Sequence, residues 1–181
     1  MNLSNVKQLN KVPFPKFNYE RAYMVKFFKQ NGLPKELFYW QDTVDAMLNG
    51  IETKYPIYIM IDQGCVKAGS QLRRPGLHID GYWDGIKHND HKFNNVEDQA
   101  IILSSNITGC KAYIGEYKEN SLKGGNCSHI DTTNLEKIDM VANYAYIGDT
   151  NAMLHETISM SENCYRTVVR LNVSGIKFKS L

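Results

Sequence analysis

The sequence predicts a mainly β domain, a sandwich or barrel with helices packed on its outside at the N-terminal end. Three observations lead there. Apolar residues recur at helical spacing in two stretches before residue 51; short runs rich in β-branched and aromatic residues follow from Lys54 onward; and loops rich in Gly, Asn and Ser separate those runs. The runs do not alternate with helical segments, so a parallel βαβ sheet is not expected.

The first helix is expected over Tyr19 to Gln30, capped by Asn18, with Ala22, Val25, Phe27 and Phe28 on one apolar face and Gly32 as its stop. A second helix follows Pro34, where Leu37, Trp40, Val44 and Leu48 recur at helical spacing and Gly50 closes the segment. Strands begin with Tyr55 to Ile61, too short and too β-branched for a typical helix. Others are expected at Gly76 to Trp83, Asp98 to Ser104, Lys111 to Tyr117, Asn143 to Ile147, Met153 to Ser159, Tyr165 to Val173 and Ile176 to Lys179. Leu135 to Met140 reads as one or two helical turns, and Lys118 to Thr133 as a polar, mobile loop. At 181 residues the chain fits a single domain, 1–181, with a helical part over 1–51 and a β core over 52–181.

Composition narrows the function classes only modestly. A formal charge of +2 gives no strong nucleic-acid signal and no reason to expect an anionic membrane partner. No apolar run approaches the roughly 20 residues of a membrane helix, and the N-terminus lacks the apolar core of a signal peptide. The four cysteines, Cys65, Cys110, Cys127 and Cys164, are scattered singly, which fits neither a zinc knuckle nor a disulfide framework. A soluble, cytoplasmic protein is the expectation.

The chemistry-bearing motif is His78-Ile79-Asp80. On a strand, residues i and i+2 share a face, so the imidazole and the carboxylate can converge on one cation while Ile79 points away. A second histidine, His155, lies on a later strand, 75 residues after Asp80, with chain enough between them for about four strands and their loops. Two imidazoles and one carboxylate on one side of a metal leave coordination positions open, the arrangement of non-haem iron(II) oxygenases.

With these residues the chain resembles the iron(II) and 2-oxoglutarate dependent oxygenases, in particular their phytanoyl-CoA and prolyl hydroxylase-like members. The resemblance rests on His78, Asp80, His155 and the strand Tyr165 to Val173, and covers about the C-terminal two thirds of the chain. It implies a double-stranded β-helix, a jelly roll of the cupin kind. It implies Fe(II) held by His78, Asp80 and His155, with 2-oxoglutarate as co-substrate and O2 as oxidant. It also implies hydroxylation of a further substrate, which the sequence does not identify, as 2-oxoglutarate loses CO2 to give succinate. An arginine on the strand after the distal histidine pairs with the far carboxylate of 2-oxoglutarate in this family. Arg166, 11 residues after His155, matches that position best, and Arg170 on the same strand face is the alternative. Tyr113 or Tyr117 is a candidate hydrogen-bond partner of the co-substrate, although core packing is the commoner role of such aromatics. A non-catalytic, cupin-like metal or small-molecule binding module would use the same fold without turnover.

Three other features compete. His129-Ile130-Asp131 repeats the first motif but lies only 24 residues before His155, too little chain for the intervening strands, and is expected in a loop. His88-Asn89-Asp90-His91 is expected to be a solvated turn, or a lid over the cavity. Tyr82 and Trp83 are candidate pocket walls, and Arg73 and Arg74, if they face the opening, favour an acidic or phosphorylated substrate.

Overall fold

The computed structural model describes residues 1–80 and 99–176. It is mainly β, with ten strands: β1 (Asn2–Ser4), β2 (Val6–Lys11), β3 (Arg21–Phe27), β4 (Ile57–Val66), β5 (Gln99–Ser105), β6 (Cys110–Tyr117), β7 (Glu136–Met140), β8 (Tyr144–Asp149), β9 (His155–Thr157) and β10 (Cys164–Ser174). They form two antiparallel sheets. The larger has the order β2-β8-β5-β10-β4-β3; in the smaller, β6 pairs with β1, β7 and β9. No helix is long and apolar enough to cross a membrane among the described residues.

The central strand β10 explains both layers. Hydrogen-bonded on one side to β4 and on the other to β5, it alternates strictly. Val169, Leu171 and Val173 join an apolar core with Trp40, Val44 and Met47 of the helical segment. Arg166, Val168, Arg170 and Asn172 take the opposite face. There a second core, including Ile101, Leu103, Ala112, Met140 and Tyr146, fills the space between the sheets. Alternation alone could not choose the inward side; the apolar helix face does, because it requires the odd-numbered residues.

The second expected helix forms, as a 3-10 turn over Lys35–Trp40 running into α1 (Gln41–Met47). The first does not. Residues Arg21–Phe27 are strand β3, paired with β4 through Ala22↔Ile61, Val25↔Ile59 and Phe27↔Ile57, with a register shift between Ala22 and Val25. A bulge inserts one residue, so Ala22, Val25 and Phe27 share a face at a spacing that imitates a helical stripe. The ten-residue β4 offers an edge to pair with, and the aromatic and β-branched residues Tyr23, Val25 and Phe27 favour a strand there. Asn18 accepts a hydrogen bond from the Glu20 N–H as a local turn instead of capping a helix. Leu135 to Met140 is likewise strand, as β7 pairs with β6 from Cys110↔Met140 to Ile114↔Glu136. Strands β1 and β2, in the stretch before Lys16, carry no clear strand signal in the sequence. Val6 alone of β2 is buried, so its pairing with β8 rests on backbone hydrogen bonds.

The polar stretch 118–133 is anchored. Leu122 and Asn126 bridge each other, Cys127 N–H donates to Leu77 O, and Cys127 and Ile130 are buried against Ile79 and Leu154. Gly125 is obligatory here: its φ is +74°, and a Cβ would lie 2.3 Å from Ile79 O.

Candidate metal centre

The backbone assembles the centre. His78 N–H donates to His155 O at 2.9 Å, and His155 N–H returns to His78 O at 3.0 Å, so the two histidines are directly opposed across a strand pair. Opposed residues of a pair project their side chains from the same face. The imidazoles accordingly lie 4.3 Å apart, centroid to centroid. Asp80, two residues after His78, shares that face. Ligand atoms of His78, Asp80 and His155 all lie within 4.8 Å of one another. His155 Nε2 to Asp80 Oδ2 is 3.4 Å, close to the roughly 3 Å between adjacent ligands of an ion bound at ~2.1 Å. Four strands, β5 to β8, separate Asp80 from His155 among the described residues, the number expected from the spacing.

Both rings are pre-set for coordination. His78 Nδ1 lies 2.7 Å from Gly76 O and His155 Nδ1 lies 3.1 Å from Met153 O. A carbonyl only accepts, so in the neutral form of each ring the proton sits on Nδ1 and the lone pair on Nε2. Burial, then the nearby His155, push the His78 pKa down to about 4, so that ring is neutral at pH 7. Burial alone would raise the Asp80 carboxyl. The hydrogen bond and charge of His155, with the charges of Arg170 and His78, hold it well below the usual carboxylate range. A neutral imidazole and an ionised carboxylate are the protonation states a divalent ion needs.

A cavity of about 230 Å³ opens in front of the three side chains, walled by Met60, Leu103, Val168 and Arg170 and reaching Tyr23 and Arg74 at its exposed side. Arg170 Nη1 lies 3.1 Å from Asp80 Oδ2, and its Nη2 contacts Met24 Sδ at 3.4 Å. Arg73 also lines the cavity and pairs with Asp62 at 3.1 Å.

Arg166 sits deeper on the same strand face. It is completely buried, donates from Nη2 to Cys110 Sγ at 3.1 Å and from Nε to Ser105 Oγ at 3.4 Å, and leaves Nη1 without a partner among the described residues. Cys110 separates it from the cavity, which Cys110 lines. Tyr113 is placed elsewhere. It lies on the opposite face of β6 from Cys110 and Ala112, in the core under the 118–133 segment, and donates to Glu156 Oε1 at 2.5 Å. Burial and that carboxylate push its pKa up to about 12. Tyr113 therefore ties β6 to β9 through Glu156 and does not line the cavity. Tyr117 has a similar position, with its hydroxyl on Ala152 O at 3.1 Å.

His129 and Asp131 stay in an exposed loop. His129 Nε2 lies 3.1 Å from Asn120 O, and Asp131 caps the Thr133 N–H. Tyr82, Trp83 and the cluster His88 to His91 lie outside the described residues. Sequence reasoning passed over Met24, Met60, Cys110 and Thr157, whose residue types are ordinary core material and acquire a role only through the pairing of β3 with β4 and of β9 with β6.

The sequence matches no protein-family model and no curated protein. Among solved structures, the chain has a weak likeness to the crystal structure of EvdO2 from Micromonospora carbonacea var. aurantiaca, with 12% identity and a TM-score of 0.38 over 65% of this chain. The chain spans about half, 51%, of the length of that protein.

Proposed function

We propose that this protein is an iron(II) and 2-oxoglutarate dependent oxygenase acting on a substrate that enters the cavity in front of His78, Asp80 and His155. The observation that carries the reading is the donor set: two imidazoles held through Nδ1 by backbone carbonyls and one ionised carboxylate, gathered on one side of a buried point and open to a cavity on the other. That set suits iron(II) and leaves positions for a chelating co-substrate and O2. When bound, iron and 2-oxoglutarate would supply oxidation of a C–H bond by O2 coupled to decarboxylation to succinate.

Strand order supports reading the sandwich as a double-stranded β-helix. Across the larger sheet the order β4-β10-β5-β8 interleaves with the smaller sheet's order of residues 77–79, β9, β6 and β7, so successive segments pass from one sheet to the other except at β6 and β7, which pair within the smaller sheet. Arg166 is the residue we assign to the far carboxylate of 2-oxoglutarate. A fully buried guanidinium with an orphaned Nη1 and no carboxylate partner among the described residues is costly, and an anionic occupant would offset that cost. Arg170 is assigned a different task, orienting Asp80 and holding its carboxyl ionised.

Anaerobic titration of the protein with Fe(II) and 2-oxoglutarate tests this directly. We expect a visible charge-transfer absorption from the chelate, and succinate on admitting air. Iron binding without that absorption and without succinate would overturn the oxygenase reading and leave a cupin-like metal-binding module.

A further inference from the structure

Cys110 joins the cavity to the unpaired charge of Arg166. Its side chain lines the cavity, its Sγ accepts from Arg166 Nη2 at 3.1 Å, and Thr157 Oγ1 lies 4.0 Å away. A thiol is a weak acceptor, so among the described residues Arg166 lacks the charge-assisted partner that a buried guanidinium ordinarily has. Its Nη1 has no hydrogen-bond partner among the described residues. The guanidinium fits at all because residue 109 is glycine: a Cβ there would lie 2.7 Å from Arg166 Cζ and 2.9 Å from its Nη2. Glycine, cysteine and arginine thus build a small cradle with a nucleophile at its lip and a cation at its base.

We propose that Cys110 and Arg166 form an anion-directed thiol site, which takes small electrophiles carrying a carboxylate. The carboxylate of a haloacetate entering through the cavity pairs with Arg166, which brings the halogen-bearing carbon to Cys110 Sγ. The S–C bond forms as the carbon–halogen bond breaks, halide leaves to solvent, and the thiol proton passes to buffer. The site shares Arg166 with the co-substrate subsite proposed above and rests on that reading only for the natural occupant of the cradle.

The test uses the wild-type, metal-free protein, treated separately with equal concentrations of iodoacetate and iodoacetamide and followed by peptide mass spectrometry at all four cysteines. We expect Cys110 to react about tenfold faster with iodoacetate than with iodoacetamide, the discrimination expected of one charge-assisted hydrogen bond, while exposed Cys65 shows no such preference. Arg166→Met should abolish the preference. Because removing a buried cation can cost the fold, 2-oxoglutarate without iron serves as a second probe: it should slow carboxymethylation of Cys110 and leave Cys65 unchanged. Equal rates with the two reagents at Cys110, or modification of Cys110 only after denaturation, would overturn the proposal. An iodoacetate preference that 2-oxoglutarate does not protect, with no chelate absorption, sustains the thiol site and overturns the oxygenase reading alone.

Discussion

The chain contains the tripeptide His-Ile-Asp twice, at residues 78–80 and 129–131, and folds the two copies into opposite roles. Both isoleucines are buried in the same apolar cluster, Ile79 at 4% and Ile130 at 6% exposure. The flanking polar residues diverge. His78 is closed against His155 by a reciprocal pair of backbone hydrogen bonds, which turns its ring and the Asp80 carboxylate into the cavity. The second copy lies in a loop, so its histidine bonds an exposed carbonyl and its aspartate is used up on Thr133. A burial anchor and two ligand types are therefore not enough for a metal centre. What is added at the first copy is a partner strand carrying the third ligand.

The largest effect that separates the two copies should come from the ligands themselves. His155→Ala or His78→Ala is expected to weaken Fe(II) binding by at least about 100-fold, measured by calorimetry under anaerobic conditions, whereas His129→Ala leaves it unchanged. A pH series divides them next. His78 is held near 4 when folded against 6.5 as its ordinary value. The unfolded chain therefore takes up a proton between those values that the folded one refuses. Stability of the metal-free protein is full above pH 6.5 and falls as the pH drops toward 4, by about 3 kcal/mol in all. Urea denaturation at pH 7 and pH 4.5 measures the loss, and His78→Asn should flatten it. Gly125→Ala, which forces a Cβ against Ile79 O at a φ of +74°, should cost about 2 kcal/mol and displace the first copy only. An unchanged metal affinity in that variant would show that Leu77–Ile79 is positioned without the 118–133 segment. His129→Ala should shift stability least, within about 0.5 kcal/mol.

Much of this arrangement was legible in the sequence. The H-x-D spacing, the distal histidine and the strand-borne arginines signal themselves because a period of two places alternate residues on one face whatever the surroundings. The β3 segment misled for an equally physical reason: a bulged strand and a helix both bring residues three apart onto one side. Strand β7 misled because Leu135, Ile138 and Met140 are few and polar neighbours separate them, so its pairing with β6 decided its form. Nothing local marks Cys110 or Met60 as cavity residues. Tyr113 was a fair candidate by type, and the side of β6 it occupies depends on which face the 118–133 segment covers.

The reciprocal hydrogen bonds between His78 and His155 also carry a kinetic meaning. Strands β5 to β8 lie between those two residues in the chain, so a loop spanning most of the β core must close to bring them together, and a chain that has not closed it holds only the His78–Asp80 fragment. An ion that needs all three ligands binds after that closure and not before. An ion bound by all three side chains, such as the iron(II) proposed above, should accordingly slow unfolding while leaving the refolding rate as it is, acting as a latch on a finished sheet and not as a template for building it.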